Sequence, residues 1–267
     1  MASDLHSSLY DKIGKTYDRT RRSDPGIVSK LIYHLAPKIG KTYLDVGCGS
    51  GNYTQAIYEK GHNICGLDIS RQMLDLARKK NPQIQWIHGD ARDLPFEGGS
   101  FDGAICVLST HQFHDIDKAF SEVFRVMKHG SFVIFSALPE HMKKWWICDY
   151  FPNLMQKACR DLASFDRLSQ TLRDAGFQNI KADKYFITDE LQDKILYSGK
   201  YKPELYLDPV FRSGISHFAL DENQEEIHKG CEKLKVDIAS GKIQQIIKAT
   251  LSDLGDYMFV TADKLNR

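Results

Sequence analysis

The hydrophobic positions between residues 41 and 136 form short, continuously apolar runs that alternate with stretches of helical spacing. Five runs have the length of a strand: Lys41–Val46, His62–Leu67, Ile84–His88, Phe101–Leu108 and Ser131–Ser136. Continuous apolar runs are typical of parallel strands that are covered on both faces. The alternation of strands and helices therefore predicts right-handed crossovers and an α/β fold.

Helices are predicted where apolar residues recur at three- and four-residue spacing. Their starting points carry residues that cap or open a helix. Five helices are predicted in this part of the chain, and they begin after Asp24, at Asn52, after Ser70, at Ile116 and at Phe165.

The C-terminal part of the chain holds two more strand-like runs, Asn179–Phe186 and Gly255–Ala262. Residues 187–254 between them have a mostly helical pattern, with Ile227, Cys231, Leu234 and Ile238 on one face. We therefore expect a helical insertion between the last two strands.

Composition narrows the possible functions. The 267 residues carry 36 Lys and Arg against 35 Asp and Glu, so the net charge is +1. This balance disfavours a protein that is held to nucleic acid or anionic lipid by bulk electrostatics. The chain shows no apolar signal segment and no run long enough to span a membrane. The six cysteines include no C-x-x-C pair, and they favour a reducing, cytoplasmic location without a metal site.

The most informative motif is a glycine loop that follows the first predicted strand. Glycine stands at every other position in Gly47, Gly49 and Gly51, and Asp45 precedes the loop. A dinucleotide site would need the spacing G-x-G-x-x-G and amide groups that face a pyrophosphate. The carboxylate of Asp45 suits instead a ligand with a cationic, amino-acid-like end.

Acidic residues also follow the next two strands. Asp68 comes about twenty residues after the loop, where an acid accepts hydrogen bonds from ribose hydroxyls. Asp90 ends the third strand and could accept from the exocyclic amino group of an adenine. A helix N-cap would explain one acid of this kind, but not three at successive strand ends.

These motifs, in this order, resemble the class I S-adenosylmethionine-dependent methyltransferases. The resemblance is to the small-molecule branch that includes ubiquinone/menaquinone and sterol methyltransferases. It rests on Leu44–Gly51, Gly66–Ser70, Gly89–Ala91, Leu94–Phe96 and Phe101–Asp102.

The resemblance implies a Rossmann-like, mostly parallel seven-stranded sheet with helices on both faces and an antiparallel last strand. Residues 1–186 and 255–267 would form the domain that binds S-adenosylmethionine, with residues 1–39 as an N-terminal lid and helix. Residues 187–254 would cap the acceptor side.

The resemblance also assigns the two polar ends of the cofactor. Asp45 and the backbone of Gly47, Cys48 and Gly49 would hold the amino-acid end. Asp68 would hold the ribose.

For the adenine, the resemblance implies that Ile69 and Met73 pack near the ring. Asp90 would meet its amino group, with Ala91 beside it. A methionine on an apolar helix face is, however, more often simply part of the core.

Two further groups would enclose the reacting end of the cofactor. Cys106 and Leu108, at the end of the fourth strand, would line the sulfonium side. Tyr10, Tyr17 and Arg21 belong to the N-terminal lid that would exclude water, although a solvated charged segment is nearly as good an interpretation.

The chemistry needs a positioned nucleophile, and an acidic hydroxyl or a carbanion needs a general base as well. His111 and His114 follow the fourth strand, and His111 is the better candidate because it lies closer to the strand end. We expect a small, uncharged or apolar methyl acceptor. The alternatives are a methyltransferase acting on RNA or protein, a cofactor-binding scaffold, a nicotinamide oxidoreductase and an arsenic-type acceptor held by Cys148 and Cys159.

Overall fold

The computed structural model describes residues 17–219 and 224–266. Its centre is a seven-stranded sheet with the order β3-β2-β1-β4-β5-β7-β6. The strands are β1 Thr42–Val46, β2 Asn63–Asp68, β3 Trp86–His88, β4 Ala104–Val107, β5 Gly130–Ser136, β6 Gln178–Tyr185 and β7 Tyr257–Lys264. Neighbours from β3 to β5 are parallel, whereas β7 runs antiparallel to both β5 and β6. The predicted fold is confirmed.

Helices connect the strands and cover both faces of the sheet. They are α1 Pro25–Leu35, α2 Asn52–Glu59, α3 Arg71–Lys80, α4 Ile116–Val126, α5 Pro139–Met142, α6 Pro152–Arg160, α7 Phe165–Ala175, α8 Pro209–Ser213, α9 Gln224–Ala239 and α10 Lys242–Ala249. Short 3-10 turns cover Thr110–Gln112, Trp146–Asp149 and Pro203–Leu207.

The helix starts follow the capping residues that the sequence predicts. The Asp24 carboxylate accepts hydrogen bonds from the backbone of Gly26 and Ile27. The Ser70 hydroxyl accepts one from Met73 at 3.3 Å. Such caps satisfy amide groups that have no partner inside the helix.

Alternate side chains of β5 enter different cores. Val133 and Phe135 belong to a core that includes α1 and the buried residues of α9. Phe132 and Ile134 belong to the opposite core, which α4 and α7 complete. A parallel sheet covered on both faces explains why its strands read as continuous apolar runs.

The boundaries differ from prediction at two places that matter for the site. The fourth strand is shorter than Phe101–Leu108, because Phe101 forms only an isolated bridge with Met127. Residues 187–202 contain no helix, although the pattern of 187–254 predicts mostly helix. The segment instead buries Asp193, Ile195 and Tyr197 in turns.

Within the ranges described above, none of the helices has the length and apolarity to cross a bilayer. The same ranges hold no cluster of three or more His, Cys, Asp or Glu side chains that could bind a metal ion. Tyr10 lies outside the described residues.

Candidate functional site

A cavity with about 1040 Å³ of empty space, including the open solvent at its mouth, lies at the carboxyl ends of β1, β2 and β4. Open α/β sheets bind ligands at this edge. The cavity brings together most of the predicted cofactor ligands: Tyr17, Arg21, Asp45, Gly47, Cys48, Gly49, Asp68, Ile69, Met73, Asp90, Ala91 and Leu108.

The amide groups of the glycine loop are turned toward the protein. Gly47 and Cys48 both donate to the carbonyl of Leu67, at 2.8 and 3.0 Å. Gly49 donates to Asp68 Oδ2 at 2.8 Å. These three amide groups therefore hold the loop to β2 and are not available to a ligand. A pyrophosphate needs several amide donors, so it does not fit here.

Gly47 is required by both its conformation and its surroundings. Its φ of +74° lies in the left-handed region. A Cβ at this position would also come within 2.7 Å of Ser109 Oγ. The Ser109 hydroxyl donates to the carbonyl of Val46 at 3.1 Å, so it is fixed against the loop.

Among the described residues, only one of the two carboxylate oxygens of Asp45 has a hydrogen-bond partner. Thr54 Oγ1 donates to Asp45 Oδ2 at 2.6 Å. Asp45 Oδ1 is buried and has no hydrogen-bond partner among the described residues. Burial raises the pKa of this carboxyl to about 7. An oxygen of this kind in a cavity wall suits a cationic donor such as an α-ammonium group, which would also lower that pKa.

Asp68 is held in place by the backbone. Its Oδ2 accepts from Gly49 and its Oδ1 accepts from Ser70, each at 2.8 Å. Burial raises the pKa of Asp68. Each carboxylate oxygen has two lone pairs, so this residue can still accept from the hydroxyls of a ribose.

Asp90 lies at the outer wall of the same cavity. Arg92 binds it through its guanidinium and its backbone amide, and the closest contact is 2.6 Å. The side-chain hydrogen bonds from Arg92 lower the pKa of Asp90. Ile69, Met73 and Ala91 supply the apolar lining beside it, which suits a flat heteroaromatic ring.

A buried network forms the wall of the cavity on its N-terminal side. Arg21 donates to both oxygens of Asp193, at 2.7 and 3.1 Å. The Tyr53 hydroxyl donates to the same carboxylate at 2.9 Å. The guanidinium also lies over the ring of Tyr17, 5.1 Å from its centroid. Residues before β1 and between β6 and β7 are thereby joined over the cavity.

The predicted sulfonium-side residues have different positions. Leu108 lines the cavity and has a left-handed φ of +55°, uncommon for a side chain of its size. Cys106 is fully buried in the core that also holds Phe132 and Ile134, and it does not line the cavity. Its thiol lies 3.0 Å from Ser109 Oγ, and burial raises its pKa to about 12. Cys106 therefore supports Ser109 from behind.

A second cavity, of about 710 Å³ to its mouth, adjoins the first. Tyr17, Arg21 and Leu108 line both. Its other walls come from the segments after β4 and β5 and from the insertion. They are mostly apolar, and include Met142, Ala158, Leu162, Ile195, Leu196 and Ile215.

His111 lines this second cavity, whereas His114 lines neither. His217, from the insertion, lines the same cavity, with its ring centroid 6.2 Å from that of His111. His217 Nε2 lies 2.9 Å from Asp161 Oδ2. The predicted base is thus placed beside the first cavity, together with a second imidazole.

Sequence reasoning missed several residues of the site. Asp193, Tyr53, Ser109 and Asp161 belong to no motif, and the sequence places His217 only in the acceptor-side insertion, without a chemical role. Asp193 and His217 lie in the insertion, and only the tertiary fold brings them to the carboxyl edge of the sheet. The sequence did hold a signal for Ser109. A glycine in a ligand-binding loop, such as Gly47, often indicates that another group packs closely against the backbone.

Comparisons with known proteins agree with this geometry. The sequence of residues 44–135 matches the family model that is described as a methyltransferase domain. A crystal structure from Anabaena variabilis, assigned as a methyltransferase from an antibiotic biosynthesis pathway, is 31% identical with a TM-score of 0.83. That match covers 92% of this chain and 99% of the other.

Two curated relatives are more distant. The demethylmenaquinone methyltransferase of Chlorobaculum tepidum is 28% identical, over 69% of this chain and 73% of that protein. The biotin biosynthesis bifunctional protein BioHC of Cellvibrio japonicus is 28% identical over 63% of this chain, but the match spans only 34% of that protein.

The chain belongs to the class I S-adenosylmethionine-dependent methyltransferases. The residues present fit the cofactor. The buried, unpartnered Oδ1 of Asp45 suits its ammonium, and the fixed carboxylate of Asp68 suits its ribose. When bound, the cofactor supplies an electrophilic methyl group on a sulfonium.

Proposed function

We propose that this enzyme methylates a small, uncharged or apolar molecule that is held in the second cavity. The observation that carries the proposal is the adjoining position of the two cavities, which share Tyr17, Arg21 and Leu108. An acceptor in the second cavity lies next to a cofactor in the first. Holding two reactants in this way can lower a barrier by as much as about 7–11 kcal/mol.

The character of the second cavity supports an acceptor of this class. Most of its lining is apolar, and the charge of Arg21 is matched by Asp193. The near-zero net charge of the chain gives RNA no bulk attraction. A relative named for demethylmenaquinone, an apolar small molecule, supports the same choice.

We further propose that the residues listed for the first cavity bind the cofactor, with Asp45 and the backbone of the glycine loop at the amino-acid end and Asp68 at the ribose. Asp90 meets the adenine. Tyr17 and Arg21, held by Asp193, close the mouth and exclude water. His111 contacts the acceptor, because its imidazole lines the second cavity. The residue lies in the turn that follows Leu108, which lines both cavities.

A cavity-filling variant tests this assignment. Leu162 lines only the second cavity, so Leu162→Trp should block the acceptor and leave the cofactor site intact. The assay offers a radiolabelled methyl donor together with either a library of small neutral aromatics or bulk RNA. We expect label in the small molecules with wild-type protein only, and equal affinity of both proteins for S-adenosylhomocysteine. Labelled RNA, or unchanged labelling by the variant, would refute the proposal.

A further inference from the structure

The second cavity contains a histidine–carboxylate pair. His217 follows α8 and Asp161 follows α6, 56 positions apart, and their Nε2 and Oδ2 atoms lie 2.9 Å apart. His217 is 9% exposed and lines the cavity, whereas Asp161 stands behind it. The fold has therefore placed a carboxylate on the side of the ring away from the cavity.

This arrangement sets the chemistry of the imidazole. A carboxylate that accepts from Nε2–H keeps the proton on that nitrogen and leaves the Nδ1 lone pair as an acceptor. Nδ1 lies 3.4 Å from the hydroxyl oxygen of Ser216, which lines the same cavity. The hydrogen bond with His217 lowers the pKa of Asp161, so the carboxylate is ionised at neutral pH. His111 and Lys157 are the other charged or titratable groups acting on Asp161.

The surroundings restrict what the pair can act on. The rings of His111 and His217 line one region of the cavity, with centroids 6.2 Å apart and planes tilted by 36°. The remaining walls are largely apolar, with Met142, Leu162 and Ile215 among them. A molecule that fits has an apolar body and one protic group that meets the imidazoles.

We propose that His217, oriented by Asp161, removes the proton of the acceptor, and that this acceptor is an aryl or enolic alcohol. The proposal rests on the proposed function, because it concerns the acceptor in the same cavity. An imidazole matches a weakly acidic hydroxyl far better than an aliphatic one. His111 then positions the acceptor oxygen, and Asp161 acts as a positioning residue.

The step balances without a further reactant. The O–H bond of the acceptor breaks as its oxygen bonds to the methyl carbon, and the proton passes to Nδ1 of His217. The electron pair of the broken C–S bond stays on sulfur, which leaves as the neutral thioether. The imidazolium later returns its proton to water.

A chromophoric phenol tests the pair without turnover. The protein is saturated with S-adenosylhomocysteine and titrated with 4-nitrophenol about one pH unit below the pKa of that phenol. 4-Nitroanisole, which has no proton to lose, reports occupancy of the cavity alone. We expect bound 4-nitrophenol to show about fivefold more phenolate absorption than the free compound, because the protonated imidazole stabilises the phenolate.

Four variants give the comparison its specificity. His217→Gln should bind 4-nitroanisole as wild type does, but should lose the excess phenolate absorption. Asp161→Asn should lose most of it and Asp161→Glu should regain part, a pattern that loss of folding does not give. His114→Gln, outside both cavities, should match wild type. Retained affinity for S-adenosylhomocysteine shows that each variant is folded.

The outcomes separate this proposal from the proposed function. Equal phenolate absorption in wild type and His217→Gln overturns the role of His217. Binding of 4-nitroanisole without any phenolate signal from 4-nitrophenol also overturns it, and leaves the acceptor cavity in place. Failure of both compounds to bind overturns the phenolic acceptor and counts against the cavity itself.

Discussion

Arg21 and Asp193, separated by 172 positions in sequence, form a two-pronged ion pair over the mouth of the cofactor cavity. Their side chains are 14% and 1% exposed. The pair joins the segment before α1 to the segment after β6, and both residues line the cavity. Arg21, in the segment before α1, is therefore held in place by a residue of the insertion.

Asp193→Asn should weaken both the fold and the site. Removing one partner of a buried ion pair costs about 3–5 kcal/mol, because the other charge stays buried without compensation. We expect denaturant unfolding to show a loss of this order, and calorimetry to show about tenfold weaker binding of S-adenosylhomocysteine.

Asp183→Asn is the matched control for this change. Asp183 is 36% exposed and pairs with Lys30 at the surface. Exposed pairs contribute at most about 1 kcal/mol. Equal effects of the two substitutions would show that the Arg21–Asp193 pair has no special role.

Gly47→Ala should disable the cofactor loop beyond the cost of its backbone conformation. Gly40 has nearly the same φ, +75°, but a Cβ there meets nothing within 4 Å. Gly40→Ala therefore measures the conformational cost alone, about 1–2 kcal/mol. Gly47→Ala adds the clash with Ser109, so only this variant should lose affinity for S-adenosylhomocysteine, by about tenfold or more. Similar affinities of the two variants would argue against the close packing of Gly47 on Ser109.

Asp45 should make the ligand-free enzyme less stable as the pH rises. Burial raises its pKa from the ordinary value of 3.8 to about 7. The folded state therefore binds more protons than the unfolded state between these values. The stability contribution is present below about pH 4 and is lost as the pH rises to about 7.

Asp45→Asn removes this titration. We expect urea unfolding of the variant, compared with wild type between pH 5 and about 7.5, to show a smaller loss of stability with pH. The same variant should bind S-adenosylhomocysteine more weakly, because the acceptor for the ammonium is gone. Parallel pH profiles of the two proteins would contradict the raised pKa.

His111→Ala should act on turnover and not on the cofactor. His111 lines the second cavity and not the first. With an acceptor identified by the labelling assay, we expect turnover to fall by about tenfold or more, because the acceptor is no longer positioned for transfer. Affinity for S-adenosylhomocysteine should not change. His114→Ala should leave both unchanged, and unaltered turnover in His111→Ala would remove this residue from the mechanism.

The sequence predicts the sheet and the first cavity because both are built from residues that are close together in sequence. Each strand brings an acid or a glycine loop to its own carboxyl end, and parallel strands bring those ends to one edge. Asp45, Asp68 and Asp90 reach the cavity for this reason. Cys106 falls outside it because its side chain is fully buried behind Ser109, which lines the cavity instead.

The second cavity could not be predicted in the same way. Its walls are contributed by residues far apart in sequence, such as His111 and His217, and no spacing links them. Asp193 lies in a segment whose pattern predicts helix, yet it is buried in a turn by its contacts with Arg21 and Tyr53. These positions depend on tertiary contacts, which override local propensity.

Calorimetric titration of the wild-type protein with S-adenosylhomocysteine and with NAD tests the central claim most directly. Three features favour S-adenosylhomocysteine over NAD. They are the unpartnered oxygen of Asp45, the fixed carboxylate of Asp68 and the amides of the glycine loop, which already donate within the protein. We expect saturable binding of S-adenosylhomocysteine and little or no binding of NAD at the same concentrations. Tighter binding of NAD, or no binding of S-adenosylhomocysteine, would contradict the assignment of the first cavity.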